Sequence, residues 1–314
     1  MTANHTMIEL RRLHRFFGST RAVDDVSFEV RRGQVFGYIG PNGAGKTTSM
    51  RILATLDVPS LGDAYVDGFS VVNDPDRVRR RLGFMPDYFG TYPNVNVIEY
   101  LDFFARSYGL RGKERLKALN HVMGFTKLEG LAQKPISGLS KGMKQRLCLG
   151  RTMIHDPGVL ILDEPAAGLD PRARIQLREM IRALAADGKT VLISSHILTE
   201  LDEMCDVVGI IEQGRMLAMG TVKDIQKAQH RQNWVRVRVL GGAASLGQWL
   251  TARGDVHQMQ IDGEQATFAH DGDEQSEADL LRDMIGASFR IAAFGSQAKS
   301  LEDVFMQVTE GLVQ

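Results

Sequence analysis

Between Thr6 and Val30 apolar and polar residues alternate on both sides of the turn-like FGST, the period-two pattern of antiparallel strands. A short apolar run, Gln34 to Ile39, then enters a glycine-rich turn, and a helical pattern begins near Lys46. PSLGDAYVDG reads as a turn, a short strand and a second turn, which completes a small β-rich lobe ahead of an LGFMP strand. From about Asp87 to Pro157 the pattern changes. VIEYLDFFARSYGL and KERLKALNHVMGF carry apolar residues at spacings of three and four, which predicts an inserted helical subdomain over about 88–157. Apolar runs return at VLIL (Val159 to Leu162), TVLISS (Thr190 to Ser195) and VVGII (Val207 to Ile211). Strands apolar along their whole length imply a parallel sheet covered on both faces.

Beyond about Gln229 the texture changes again. WVRVRVL alternates as a strand, AASLGQWLTARG is helical, HQMQIDG and QATFAHDG form a hairpin, SEADLLRDMIGAS is helical and SFRIAAF is a strand. That βαββαβ order predicts a small ferredoxin-like sandwich. With 314 residues the chain exceeds one average domain, and the expected division is 1–228 and 229–314.

Charge and cysteine content narrow the setting. Lys+Arg and Asp+Glu are equal at 38 each, so no global field draws the chain to nucleic acid or an anionic membrane. Cys148 and Cys205 stand in apolar contexts and read as buried thiols in a reducing cytoplasm. No stretch reaches the ~18 apolar residues of a membrane span, and the first residues lack the apolar core of a signal peptide.

Two motifs carry chemistry. Gly40, Pro41, Asn42, Gly43, Ala44, Gly45, Lys46, Thr47 and Thr48 spell GPNGAGKTT, a match to G-x-x-x-x-G-K-[ST] placed after a strand and before a helix. Backbone N–H groups there can cradle phosphate, Lys46 can reach the terminal phosphates, and the Thr47 hydroxyl can sit on Mg²⁺. VLILDEP then places Asp163 and Glu164 at the end of a buried strand. In phosphate-loop nucleoside triphosphatases the first such carboxylate helps hold Mg²⁺, and a following Glu can orient and activate water. These two motifs leave kinases, helicases and GTPases open.

Four further segments, in order along the first 220 residues or so, resemble the ATP-binding cassette family. Leu139, Ser140, Lys141, Gly142 and Met143 are similar to its LSGGQ signature. AAGLD, with Asp170, is similar to its D-loop; His196 after TVLISS resembles its switch histidine; Phe17 in FFG matches its adenine-stacking aromatic. The resemblance implies a P-loop NTPase α/β fold with an antiparallel β subdomain and a helical insertion. It also implies ATP and Mg²⁺ as cofactors, and a head-to-tail dimer of two copies in which Ser140 and Gly142 meet the γ-phosphate held by the other copy. Lys46, Glu164 and His196 are the implied catalytic groups, and Thr47, Asp163 and Asp87 the metal-side oxygens. Asp87 stands where the family usually has Gln, and Lys141 and Met143 depart from the usual Gly and Gln.

A cassette without a span resembles the separate ATP-binding subunit of a transporter, working at the cytoplasmic face of the cell membrane with a permease encoded elsewhere. Tyr88, Phe89, Tyr92 and Pro93 suit either a docking surface for that permease or a seal between the helical subdomain and the sheet. The tail, ending in SLEDVFMQVTEG, resembles bacterial drug and polysaccharide exporter ATPases. A cassette acting on ribosomes or DNA is the rival. Residues 221–314 hold thirteen acidic and nine basic side chains, the wrong sign for phosphate backbone, and there are no coiled-coil heptads. A catalytically silent scaffold would not need Glu164 and His196.

Overall fold

The computed structural model describes residues 5–88, 90, 94–197, 201, 204–221, 224–225 and 233–297. The chain separates into two units, 1–222 and 223–314.

In the first unit, β1 (Thr6–Phe17) and β2 (Thr20–Arg31) form the antiparallel hairpin that the alternation predicts. With β4 (Leu61–Val66) and β5 (Phe69–Ser70) they make a four-stranded sheet in the order β2-β1-β4-β5. A second, six-stranded sheet holds β3 (Val35–Ile39), β6 (Leu82–Met85), β7 (Val159–Leu162), β8 (Thr190–Ser195), β9 (Val207–Glu212) and β10 (Arg215–Gly220). Its order is β10-β9-β3-β8-β7-β6, parallel from β9 to β6, with β10 antiparallel at one edge. All residues of β3, β7 and β8 are buried, which is why their sequences are apolar without alternation. Phe28 stacks on Phe36 across the two sheets, with centroids 4.8 Å apart, and joins them in one core.

Helices α1 (Lys46–Leu53), α2 (Pro75–Arg81) and α6 (Pro171–Ala186) connect these strands. Between β6 and β7 lie α3 (Val97–Ser107), α4 (Gly112–Phe125) and α5 (Lys141–Met153). Asn96 and Glu99 close a capping box that starts α3, so the first turn's donors are satisfied locally. Both cysteines, Cys148 and Cys205, are buried.

The second unit has the elements β11 (Asn233–Val239), α7 (Ala243–Thr251), β12 (Val256–Asp262), β13 (Gln265–His270), α8 (Glu274–Gly286) and β14 (Ile291–Gln297). Its sheet is antiparallel in the order β12-β13-β11-β14. Written by position in the βαββαβ string this is 2-3-1-4, the ferredoxin-like arrangement. Val235, Val237 and Val239 pack on Leu246, Leu250, Leu280 and Met284 of the two helices. No helix among the described residues is long and apolar enough to cross a membrane.

Candidate functional site

Parallel strands deliver their carboxyl ends to one edge, and that edge collects the predicted chemistry. Ile39 pairs with Ser195, and Leu162 with Ile193, so the residues that follow β3, β7 and β8 arrive side by side.

The loop after β3 is shaped by its glycines. Gly45 has φ 103°, and a Cβ there would lie 2.3 Å from the Ala22 carbonyl oxygen; a Cβ on Gly40 would lie 2.2 Å from the Ile211 oxygen. Gly43, at φ 82°, meets nothing within 4 Å and leaves its side of the loop open. α1 then starts without a side-chain cap and without an acidic residue in its first turn, so its N-terminal donors and positive dipole end are free to meet an anion. Beneath the loop, the Ser49 hydroxyl donates to the Gly45 carbonyl at 3.0 Å and is in turn 3.3 Å from the Tyr38 hydroxyl. From the outer side, Gly214 N–H donates to the Ala44 carbonyl and Asp24 N–H to the Gly214 carbonyl.

Lys46 is buried and donates to the carbonyls of Gly40 at 2.6 Å and Pro41 at 3.2 Å. Burial pushes its ammonium pKa down, against the pull of Glu164, whose Oε1 lies 3.6 Å away. Carbonyl oxygens are weak partners for a buried cation. A phosphate oxygen would be a stronger one.

Ser194 organises the two carboxylates. Its hydroxyl donates to Asp163 Oδ1 at 2.6 Å and accepts the Glu164 N–H at 2.8 Å. Burial raises the Asp163 carboxyl above the usual carboxylate range; the hydroxyls of Ser194 and Thr47 oppose this, and the charges of Asp87 and Glu164 reinforce it. Asp163 Oδ2 is buried with no hydrogen bond. An orphaned, desolvated carboxylate oxygen beside a threonine hydroxyl suits a hard divalent cation. Among the described residues there is no group of three or more His, Cys, Asp or Glu that could hold a metal ion.

Glu164 has a left-handed backbone, φ 48°, uncommon for a non-glycine residue. Its Oε2 lies 2.8 Å from Nδ1 of His196, whose side chain is 45 % exposed. Asp87 is exposed and accepts the N–H of Tyr88 at 2.8 Å. Phe17 closes β1 half exposed.

Ser140 and Asp170 lie in a second concavity, lined also by Gly142, Met143, Arg146 and Ala173. Both are helix caps. Ser140 accepts Met143 N–H at 3.3 Å ahead of α5, and Asp170 accepts Ala173 N–H at 2.8 Å ahead of α6. A Cβ on Gly142 would touch that of Ala173 at 3.0 Å, and the Lys141 amine lies directly over Gly168. The signature-like and AAGLD segments therefore pack against each other within one chain. Tyr88 is 79 % exposed, and Phe89, Tyr92, Pro93 and the SLEDVFMQVTEG tail lie outside the described residues.

Sequence reasoning missed Ser194, Ser49 and Tyr38. For Ser194 and Tyr38 the available signal was a hydroxyl carried within a buried strand, TVLISS and VFGYI; Ser49, in the polar start of α1, gave none.

Residues 23–167 match the family described as ABC transporter, and residues 220–309 match the C-terminal domain of DrrA1-3-like ATP-binding proteins. The Nod factor export ATP-binding protein I of Ralstonia nicotianae is 34% identical over 304 residues, 96% of this chain and 94% of that one. The probable multidrug ABC transporter ATP-binding protein YbhF of Escherichia coli is 37% identical over 228 residues, 73% of this chain and 39% of that one. A solved ATP-binding subunit of an ABC transporter aligns with TM-score 0.65 at 32% identity, covering 71% of this chain and 93% of its own. A dimeric cassette in a post-hydrolysis state with ADP and phosphate shares the fold at TM-score 0.62 and 24% identity, covering 68% and 98%.

Proposed function

This chain belongs to the ABC transporter family as an ATP-binding, ATP-hydrolysing subunit, and we propose that it drives export through a separately encoded membrane subunit at the cytoplasmic face of the membrane. One observation carries the catalytic assignment: Lys46, Asp163, Glu164 and His196 converge on a single sheet edge beside an uncapped helix N-terminus. The names of the relatives, a Nod factor exporter subunit and a probable multidrug transporter subunit, support the direction of transport.

The N–H groups around Gly43 to Thr48 receive the β- and γ-phosphates of ATP, and Lys46 exchanges the carbonyls of Gly40 and Pro41 for phosphate oxygens. Mg²⁺ bound with the triphosphate would neutralise charge on its oxygens. Thr47 and Asp163 are the residues to hold it, with Asp87 near enough to act through its charge. Glu164 orients the attacking water and takes its proton, while His196 holds the carboxylate in place. Phe17 carries the adenine ring. In a second copy of the chain, Ser140 and Gly142 cap the same triphosphate from the far side, and their packing against the Asp170 segment couples the two sites.

The test is affinity purification of the Glu164→Gln chain from native membranes with ATP. Recovery of a polytopic membrane protein is expected; recovery of ribosomes or DNA would transfer the ATPase to the rival role.

A further inference from the structure

At the end of β1 the ring of Phe17 is 50 % exposed, and the Arg15 guanidinium lies over one of its faces, 4.5 Å from the centroid. The β1–β2 register shifts between Arg15 and Phe16, the kind of irregularity that re-aims a side chain. Arg15 is itself fixed. Its Nη2 lies 2.8 Å from Asp57 Oδ1 in the segment between α1 and β4, and both side chains are mostly buried. Its Nε is buried without a hydrogen bond, a loss that the ring contact and the ion pair must offset.

We infer that Arg15 is a positioning residue for the nucleotide base: it holds the Phe17 ring by one face and so presents the other face to adenine. The inference rests on the reading of Phe17 as the adenine platform. Two physical effects act together. An aromatic ring at a strand end would otherwise sample several rotamers, and fixing it before binding removes that entropy from the association. Two stacked π faces also repel through their quadrupoles, and a cation on the far face draws electron density away from the contact. Asp57 is what keeps the guanidinium from leaving with the solvent.

The test is a double-mutant cycle on the full chain, read as Mg·ATP affinity by titration calorimetry, with thermal melts to show that each variant is folded. Arg15→Gln should weaken binding about two- to fivefold, Phe17→Ala should weaken it more, and the double variant should bind no worse than Phe17→Ala. Wild-type affinity in Phe17→Ala removes the adenine reading and this inference with it. A weakened Phe17→Ala beside an unaffected Arg15→Gln leaves the adenine reading intact and overturns the role of Arg15. Equal loss from Arg15→Gln with and without the ring also overturns it, because the arginine then acts elsewhere. If Arg15→Gln does not fold, Arg15→Lys, which keeps the charge facing Asp57 but lacks the planar group, is measured on the same cycle with the same three readings.

Discussion

Nδ1 of His196 lies 2.8 Å from Oε2 of Glu164. A carboxylate only accepts, so Nδ1 carries the proton, and a neutral ring leaves Nε2 as an acceptor. Holding Glu164 and donating to a phosphate at the same time therefore requires an imidazolium. Glu164→Gln should bind ATP but turn over about 10²- to 10⁴-fold more slowly. Phosphate release under saturating ATP checks this, and wild-type turnover would remove Glu164 from the mechanism.

Ser194 bridges Asp163 and the Glu164 backbone, so Ser194→Ala strands an acceptor and a donor at once. The expected cost is about 1–3 kcal/mol of stability, together with a fall in kcat that exceeds any change in ATP affinity. Urea unfolding and steady-state kinetics on the same preparation separate the two. An unchanged kcat would confine Ser194 to a packing role.

Lys46 is buried against two carbonyls and one carboxylate. Lys46→Ala should lower ATP affinity on the order of ten- to a hundredfold, the worth of a charge-assisted hydrogen bond to phosphate. Its removal relieves a desolvated ammonium and opens the Gly40 and Pro41 carbonyls to water, two effects that offset, so the melting temperature of the nucleotide-free protein should change little. Titration calorimetry and a thermal melt check both parts.

His155 stacks on Tyr108 with centroids 3.7 Å apart, and its Nε2 lies 3.2 Å from the Leu82 carbonyl, to which it donates. Its Nδ1 is buried without a partner, and burial pushes the ring's pKa down to about 4. Below about pH 6.5 the unfolded chain takes up a proton that the folded chain refuses, so this contribution is complete above that pH and is lost as pH falls toward 4. The urea midpoint should drop across that window, and His155→Phe should flatten the slope. An identical slope in the variant would assign the acid sensitivity to other groups.

The parts of the molecule legible in the sequence are those where local pattern and tertiary environment agree. The apolar runs Val159–Leu162 and Thr190–Ser195 are fully buried strands, and the alternation of Val235, Val237 and Val239 marks the inner face of the second unit's sheet. α2 was not legible. It has seven residues, four of them arginine, and Val78 is its only buried side chain, so no apolar period exists to read. Ser194 was hidden for a different reason: its partners stand about thirty positions earlier and meet it only through the β7–β8 register. Ser140 and Asp170 invite a reading through the family pattern alone, yet each also performs the local task of starting a helix.

Gly214 joins stretches of chain that are far apart: its N–H reaches Ala44 and its carbonyl receives Asp24. Ile211, three residues earlier, walls in Gly40. The cradle formed near the start of the polypeptide is thus completed by a hairpin translated some 170 residues later. A nascent chain released before that hairpin would carry the whole motif, with Ser49 and Tyr38 beneath it, and still lack the outer wall that shapes it. Nucleotide capture on the ribosome should accordingly begin only when synthesis has passed the last strand of the first unit, making ATP a reporter of that unit's completion.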